Sequence, residues 1–152
     1  MVYALAKPLL VVEDSDEDFE TLSWAMKRLS IENEVVRCAD GDEVLDYLRH
    51  SGSYSDAEET PRPAMILLDL NLPAVDGREV LEQIKRDENL KLIPVVVWTT
   101  SSNPKDVELC YKNGANSYIV KPIHLDNLLS AVALLERYWL RVVALPDTSA
   151  YS

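Results

Sequence analysis

Two cysteines in 152 residues, Cys38 and Cys110, stand far apart with no CxxC and no histidine beside either. That spacing argues against a zinc site or a redox pair. Both read as small buried hydrophobes, in keeping with a reducing compartment. Basic residues are also scarce: 15 Lys and Arg stand against 26 Asp and Glu, for a formal net charge of -11. Sequence-independent nucleic-acid binding relies on cations that neutralise phosphates, and anionic membrane surfaces attract the same cations, so neither is an expected partner. Multivalent cations and basic protein patches are. No uncharged run reaches membrane-spanning length. The opening "MVYALAKPLL" lacks a basic n-region and is broken by Lys7-Pro8, so it does not read as a signal peptide, and a cytoplasmic location is expected. No internal repeat and no second domain stand out. With 47% hydrophobic and 27% charged residues, the chain suits one domain of 1–146 with a sizeable core and a short flexible tail over 147–152.

What is present is an alternation of apolar runs and helical patterns. Leu9–Val12, Glu34–Cys38, Ala64–Leu68 ("AMILL"), Ile93–Trp98 ("IPVVVW") and Ser117–Val120 read as strands. Between and after them, Asp16–Ser30, Gly41–Arg49, Arg78–Asp87, Pro104–Asn113 and Leu125–Val143 carry apolar residues at helical spacing. Pro104 opens the fourth helix and Gly114 closes it. Five β-α units with continuously apolar strands argue an α/β fold, a parallel sheet with helices on both faces. The connection His50–Pro63 is long for such a domain and is either a surface insertion or a contact element.

The acids are not spread evenly. Six of the eight residues from Glu13 to Glu20 are acidic, directly after the first apolar run. In an open parallel sheet ligands sit beyond the carboxyl ends of the strands. Glu13 and Asp14 follow the first strand and Asp69 follows the third, so neighbouring strands would bring three carboxylates together. Left uncompensated they would raise one another's pKa, and a hard divalent cation resolves this. Magnesium, which takes one or two carboxylates with waters and phosphate oxygens, fits best. Asp16, Glu17, Asp18 and Glu20 have a plainer reading: Ser15 with Asp18 matches the [ST]-x-x-[DE] cap, and negative charge suits a helix N-terminus. A calcium loop is rejected, because its required Gly is Phe19 and its twelfth residue is Ala25.

Thr99 and Thr100 follow the fourth strand and Lys121 follows the fifth, placing a hydroxyl and an ammonium at the same edge. Carboxylate, metal, hydroxyl and lysine together are what an aspartyl-phosphate site requires. Taken singly, Asp69 could cap a turn, Thr99 could satisfy backbone and Lys121 could be a surface lysine. Tyr118 is open between half-buried packing and a rotameric switch. His50 and His124 read as surface residues without a catalytic partner.

In order along the chain, "VVEDSDED", "ILLDLNLPAVDG", "IPVVVWTTS" and "GANSYIVKP" resemble a response-regulator receiver domain (CheY-like), over roughly Leu9 to Arg141. The resemblance implies a flavodoxin-like, doubly wound five-stranded sheet of order 2-1-3-4-5. It implies that Asp69 accepts a phosphoryl group from a histidine kinase. Glu13 and Asp14 match the acidic pair, Asn71 the backbone carbonyl ligand of the metal, Thr99 the switch hydroxyl, Tyr118 the switch aromatic, and Lys121 the site lysine, whose bond to Pro122 is expected cis. Glu13 stands where many receivers have Asp; its extra methylene should reach the metal through water. "LLDLNLPAVDGREVL", the insertion before the third strand and the "RYWLRVVALP" end are similar to the single-domain regulators of cyanobacterial phytochromes.

The last helix is apolar on more than one side, through Leu128, Leu129, Val132, Leu135, Tyr138, Trp139, Val142 and Val143. Either the two chain ends cover it, or Leu135, Tyr138, Trp139, Val142 and Val143 form a partner surface, most simply of a homodimer. With no output segment seen after this helix, output through protein contacts is expected. Two rivals remain: an aspartyl-phosphate phosphatase, disfavoured because such enzymes need an acid where Asn71 stands, and an interaction module that no longer takes phosphate.

Overall fold

A computed structural model describes residues 7–56 and 58–146; the expected tail over 147–152 lies outside them. Five strands, β1 (Leu9–Val12), β2 (Val35–Cys38), β3 (Met65–Leu68), β4 (Val95–Thr99) and β5 (Ser117–Val120), form one sheet in the order β2-β1-β3-β4-β5. Every pairing is parallel. The helices are α1 (Asp16–Arg28), α2 (Gly41–Arg49), α3 (Gly77–Arg86), α4 (Pro104–Lys112) and α5 (Leu125–Leu135). This is the doubly wound, flavodoxin-like arrangement expected.

The continuous apolar strands follow from having both faces covered. On one face Leu9, Val11, Met65, Leu67, Val96 and Trp98 pack under α1 and α5. On the other, Leu10, Val12, Ile66, Leu68, Val95 and Val97 pack under α2, α3 and α4. Each large aliphatic side chain removed from water in this way contributes about 1.5–3 kcal/mol. Cys38 and Cys110 are buried, unpaired by any disulfide, and burial pushes both thiols up, to about 12 and about 11. They serve as core, as their spacing suggests.

The 50–63 connection is a contact element of the chain with itself. Its short 3₁₀ turn, Gly52–Tyr54, lies on α2, with the Tyr47 and Tyr54 rings edge to face at 5.2 Å. The Tyr54 hydroxyl donates to Glu43 (2.9 Å) and the Tyr47 hydroxyl to the Pro61 carbonyl (2.9 Å). His50, expected at the surface without a catalytic partner, is half-buried, and its ring meets backbone. It ends α2 at φ 52°, and its ring nitrogen Nε2 lies 2.9 Å from the Thr60 carbonyl oxygen. His124, before α5, is exposed.

The last helix also departs from expectation. Regular α-helix stops at Leu135, and Glu136–Val142 continues with i→i+5 hydrogen bonding, seen in the Val143 amide to the Tyr138 carbonyl at 2.9 Å. Such π segments are usually single-turn insertions at special places. The wider turn buries Leu140 and packs Trp139 against the α1/α5 core.

One glycine sets how closely α3 approaches the third strand. A Cβ built on Gly77 would sit 2.2 Å from the Asp69 carbonyl oxygen and 2.6 Å from the Leu70 Cα. Both are backbone atoms and cannot swing away. Gly77→Ala is expected to cost about 1–3 kcal/mol as an overpacking change, read by urea denaturation, and to displace the segment that carries Asp69.

Candidate phosphoryl-transfer site

Strand register assembles the site. Val12 pairs with Leu68, so Glu13 and Asp69 each stand one residue past adjacent strand ends. Thr99 pairs with Val120, so Lys121 stands one residue past the neighbouring end. Backbone bonds fix these exits: Glu13 amide to Cys38 carbonyl (3.0 Å), Asp69 amide to Val12 carbonyl (3.1 Å), and Lys121 amide to Thr99 carbonyl (2.7 Å).

Asp69 is 5% exposed. Its Oδ1 accepts from the Asn71 amide at 3.2 Å and its Oδ2 from Lys121 Nζ at 3.1 Å. Lys121 Nζ also donates to Glu13 Oε1 at 2.6 Å and Asp18 Oδ2 at 2.8 Å. One ammonium thus spends its three donors on three carboxylates. Burial works against that charge. The bonds to Asp18 and Glu13 and the nearby Asp69 outweigh it and hold the Lys121 pKa above its ordinary value. The Glu13 carboxyl, 3% exposed, is pushed up chiefly by burial, with the Lys121 bond opposing and Asp69 adding to the rise.

Asp14 is exposed at the mouth. Glu13, Asp14 and Asp69 can each place one oxygen within 4.8 Å of the others. Three carboxylates so close, with one lysine to balance them, suit a hard divalent cation. The excess of negative charge is itself the fit. Asn71 is exposed, two residues past Asp69, with its amide on that carboxylate.

Ser15 caps α1, its hydroxyl accepting from the Asp18 amide at 3.2 Å. The reciprocal half of the expected cap is not made by Asp18. Glu13 Oε2 takes the Ser15 amide at 3.3 Å, and the Asp18 carboxylate turns to Lys121. The acid read as a helix cap therefore belongs to the site. Arg37 braces the same turn from β2: Nε donates to the Glu13 carbonyl (3.0 Å), a guanidinium nitrogen meets Asp16 (2.7 Å), and the group lies 4.8 Å above the Phe19 ring centroid.

On the other side Thr99 is fully buried, its hydroxyl 3.5 Å from the Ser101 amide. Tyr118 is half-buried and packs against the α2/α3/α4 core, with its hydroxyl donating to the Ser101 carbonyl at 2.8 Å. Ser101 donates to Asp106 (2.6 Å), and Asp106 takes both Nε (2.9 Å) and an NH2 (3.0 Å) of Arg78. That bidentate bond, helped by Ser101, holds the Asp106 carboxyl down at about 2. Arg78 also binds Asp76. The loop after β4 is thereby tied to α3 and α4 through a polar chain that the sequence reading missed.

Comparison with known proteins decides the family. The response regulator receiver domain profile matches residues 9–133. The chain is 44% identical over 140 residues to the response regulator Rcp1 of Synechocystis, covering 92% of this chain and 93% of that one. This chain belongs to the response regulator receiver family.

Other members lie close. The Mn(2+)-bound structure of Rcp1 superposes with a TM-score of 0.84, and that of the phosphorylated cyanobacterial phytochrome response regulator RcpA with 0.85. Each is 43% identical, over 93% of this chain and 99% of the other. A probable methanogenesis regulatory protein of Methanothrix harundinacea, FilR2, is 43% identical over 87% of this chain and 83% of its own. As a receiver domain, the chain belongs to two-component signalling, and the acidic site of such a receiver is one for a divalent metal.

Two expectations change. No cis peptide bond occurs among the described residues, so Lys121–Pro122 is trans, the isomer X-Pro bonds favour by about 0.5–1 kcal/mol. In the surface expected of the last helix, Leu135 is buried and Trp139 packs inward, while Val143 is half-buried. Tyr138 and Val142 of that expected surface are exposed, at 56% and 73%, and Leu134 of α5, at 68%, joins them at four-residue spacing. No helix among the described residues is long and apolar enough to cross a membrane.

Proposed function

We propose that Asp69 is the phosphoacceptor of this receiver and that magnesium, held by Glu13, Asp14, Asp69 and the Asn71 backbone carbonyl, is its cofactor. One observation carries the reading: Lys121 Nζ reaches both Asp69 and Glu13 at the carboxyl end of the sheet, beside a buried Thr99. An Asp69 carboxylate oxygen attacks the phosphorus of a kinase phosphohistidine. The P–N bond breaks, and its electron pair returns to the imidazole nitrogen. The bound cation would neutralise charge on the transferring oxygens. Lys121 and Thr99 then bond the phosphoryl oxygens. Thr99 cannot do so without disturbing the loop that Tyr118 holds through Ser101, and this shift of population is the signal.

The donor is a phytochrome-type histidine kinase, a reading supported by likeness to RcpA. The receiver unit runs through residue 146, with 147–152 as tail. It acts in the cytoplasm, turns over no substrate beyond its own phosphoryl group, and signals by protein contacts. A homodimer through Leu134, Tyr138 and Val142 fits the exposed stripe.

The test is intact-mass measurement after incubation with acetyl phosphate and magnesium. One base-labile, hydroxylamine-labile phosphoryl group per chain is expected, with none after chelation of the metal. A chain that gains nothing is an interaction module. Continued release of inorganic phosphate over many turnovers would mark a phosphatase.

A further inference from the structure

We propose that Asp18 is a positioning residue that anchors the Lys121 ammonium at the phosphoryl site, an inference that rests on the phosphoacceptor reading above. Lys121 Nζ has three carboxylate acceptors, Glu13 (2.6 Å), Asp18 (2.8 Å) and Asp69 (3.1 Å). Glu13 and Asp69 belong to the trio able to share a cation; Asp18 does not. Asp69 must also give up its hold on the ammonium to become the nucleophile. Asp18 is thus the one acceptor of Lys121 with no other duty, and its bond is shorter than that to Asp69.

Its position supports the role. Asp18 sits on the first turn of α1, a rigid element whose Ser15 cap takes the Asp18 backbone amide, so the side chain is free to face Lys121. Its carboxylate is 44% exposed, against 11% for the lysine side chain, so Asp18 approaches from the open side. Both residues line a cavity of about 240 Å³ with Trp98, Thr100 and Pro122. Without Asp18, a four-carbon side chain facing that space has freedom to swing away from the strand edge. A bond held by a fixed helix keeps the ammonium where a transferring phosphoryl oxygen needs it.

The test compares wild type, Asp18→Ala, Asp18→Asn and Glu20→Ala. Glu20 is an exposed acid on α1, so its variant controls for lost charge. The first readout is the Lys121 side-chain ammonium signal of metal-free protein in a lysine-labelled ¹H–¹⁵N spectrum. Exchange with water is expected to quicken several-fold in Asp18→Ala, less in Asp18→Asn, and not in Glu20→Ala. The second is phosphoryl uptake from acetyl phosphate at saturating magnesium, about tenfold slower in Asp18→Ala than in Glu20→Ala. Unchanged ammonium exchange, or uptake matching Glu20→Ala, overturns the anchor. Failure of wild type to take phosphoryl defeats the phosphoacceptor reading instead, and the ammonium signal still reports on the Asp18 bond.

Discussion

Asp69→Asn is expected to abolish phosphoryl uptake from both acetyl phosphate and a partner kinase while leaving the fold intact. The substitution keeps the side-chain shape and one acceptor oxygen, which can still take the Asn71 amide; the NH2 group that replaces the other oxygen cannot accept from Lys121, whose ammonium keeps Glu13 and Asp18. The amide lacks the carboxylate's nucleophilic lone pair and charge, so the covalent step has no attacking group. Stability should not fall. Asp69 adds to the unfavourable rise of the Glu13 carboxyl, so neutralising it relieves a buried repulsion. Intact mass, circular dichroism and a urea melt on the same preparation check all three points. Stoichiometric phosphorylation of the variant would move the acceptor to Glu13 or Asp14, the other carboxylates that can gather there.

Much of this site was legible because its parts are local in sequence and register-fixed in space. A short apolar run ending in an acid, twice, and a hydroxyl and a lysine each at a strand exit, need only parallel pairing to converge. The pairing Val12 with Leu68 and Thr99 with Val120 supplies that. The five strands were readable for the same reason: buried on both faces, they are apolar throughout.

What escaped the sequence depends on distant choices. Asp18 had two physically sound options, its own helix N-terminus or a lysine 103 residues away, and local pattern favours the first. The overlooked signal was charge balance: six acids around one turn need more compensation than a helix end supplies. The switch from α to i→i+5 bonding after Leu135 is likewise set by how Trp139 and Leu140 seat against α1 and β1, which spacing alone does not encode. The Ser101–Asp106–Arg78 chain joins three elements through side chains ordinary at each position.

Lys121→Ala should give the largest loss of stability among single changes at the site, and one that a divalent cation repairs. Glu13, Asp69 and Lys121 side chains are 4%, 7% and 11% exposed, so the pairing is an interior one. Removing one partner of a buried ion pair costs about 3–5 kcal/mol, because the remaining charge has no solvent to turn to. Asp18, nearer water, adds little. Protonation limits the damage: burial already lifts the Glu13 carboxyl from 4.5 to about 7, and without the ammonium's opposing bond it rises further. A carboxyl whose folded pKa is raised holds a proton that the unfolded chain has lost. Its presence therefore favours the folded state at low pH, and that advantage drains away as pH climbs through the folded value. The deficit of Lys121→Ala against wild type should accordingly be small near 4.5 and grow through and beyond 7. Magnesium should stabilise the variant more than wild type, since in wild type the ammonium already occupies the Glu13 and Asp69 oxygens. A ligand at a hundredfold its dissociation constant adds about 2.7 kcal/mol, enough to recover most of the loss. Urea midpoints across pH, with and without magnesium, measure both effects. Equal stability at all pH values, or equal magnesium gains in the two proteins, would show that the lysine does not hold these carboxylates together.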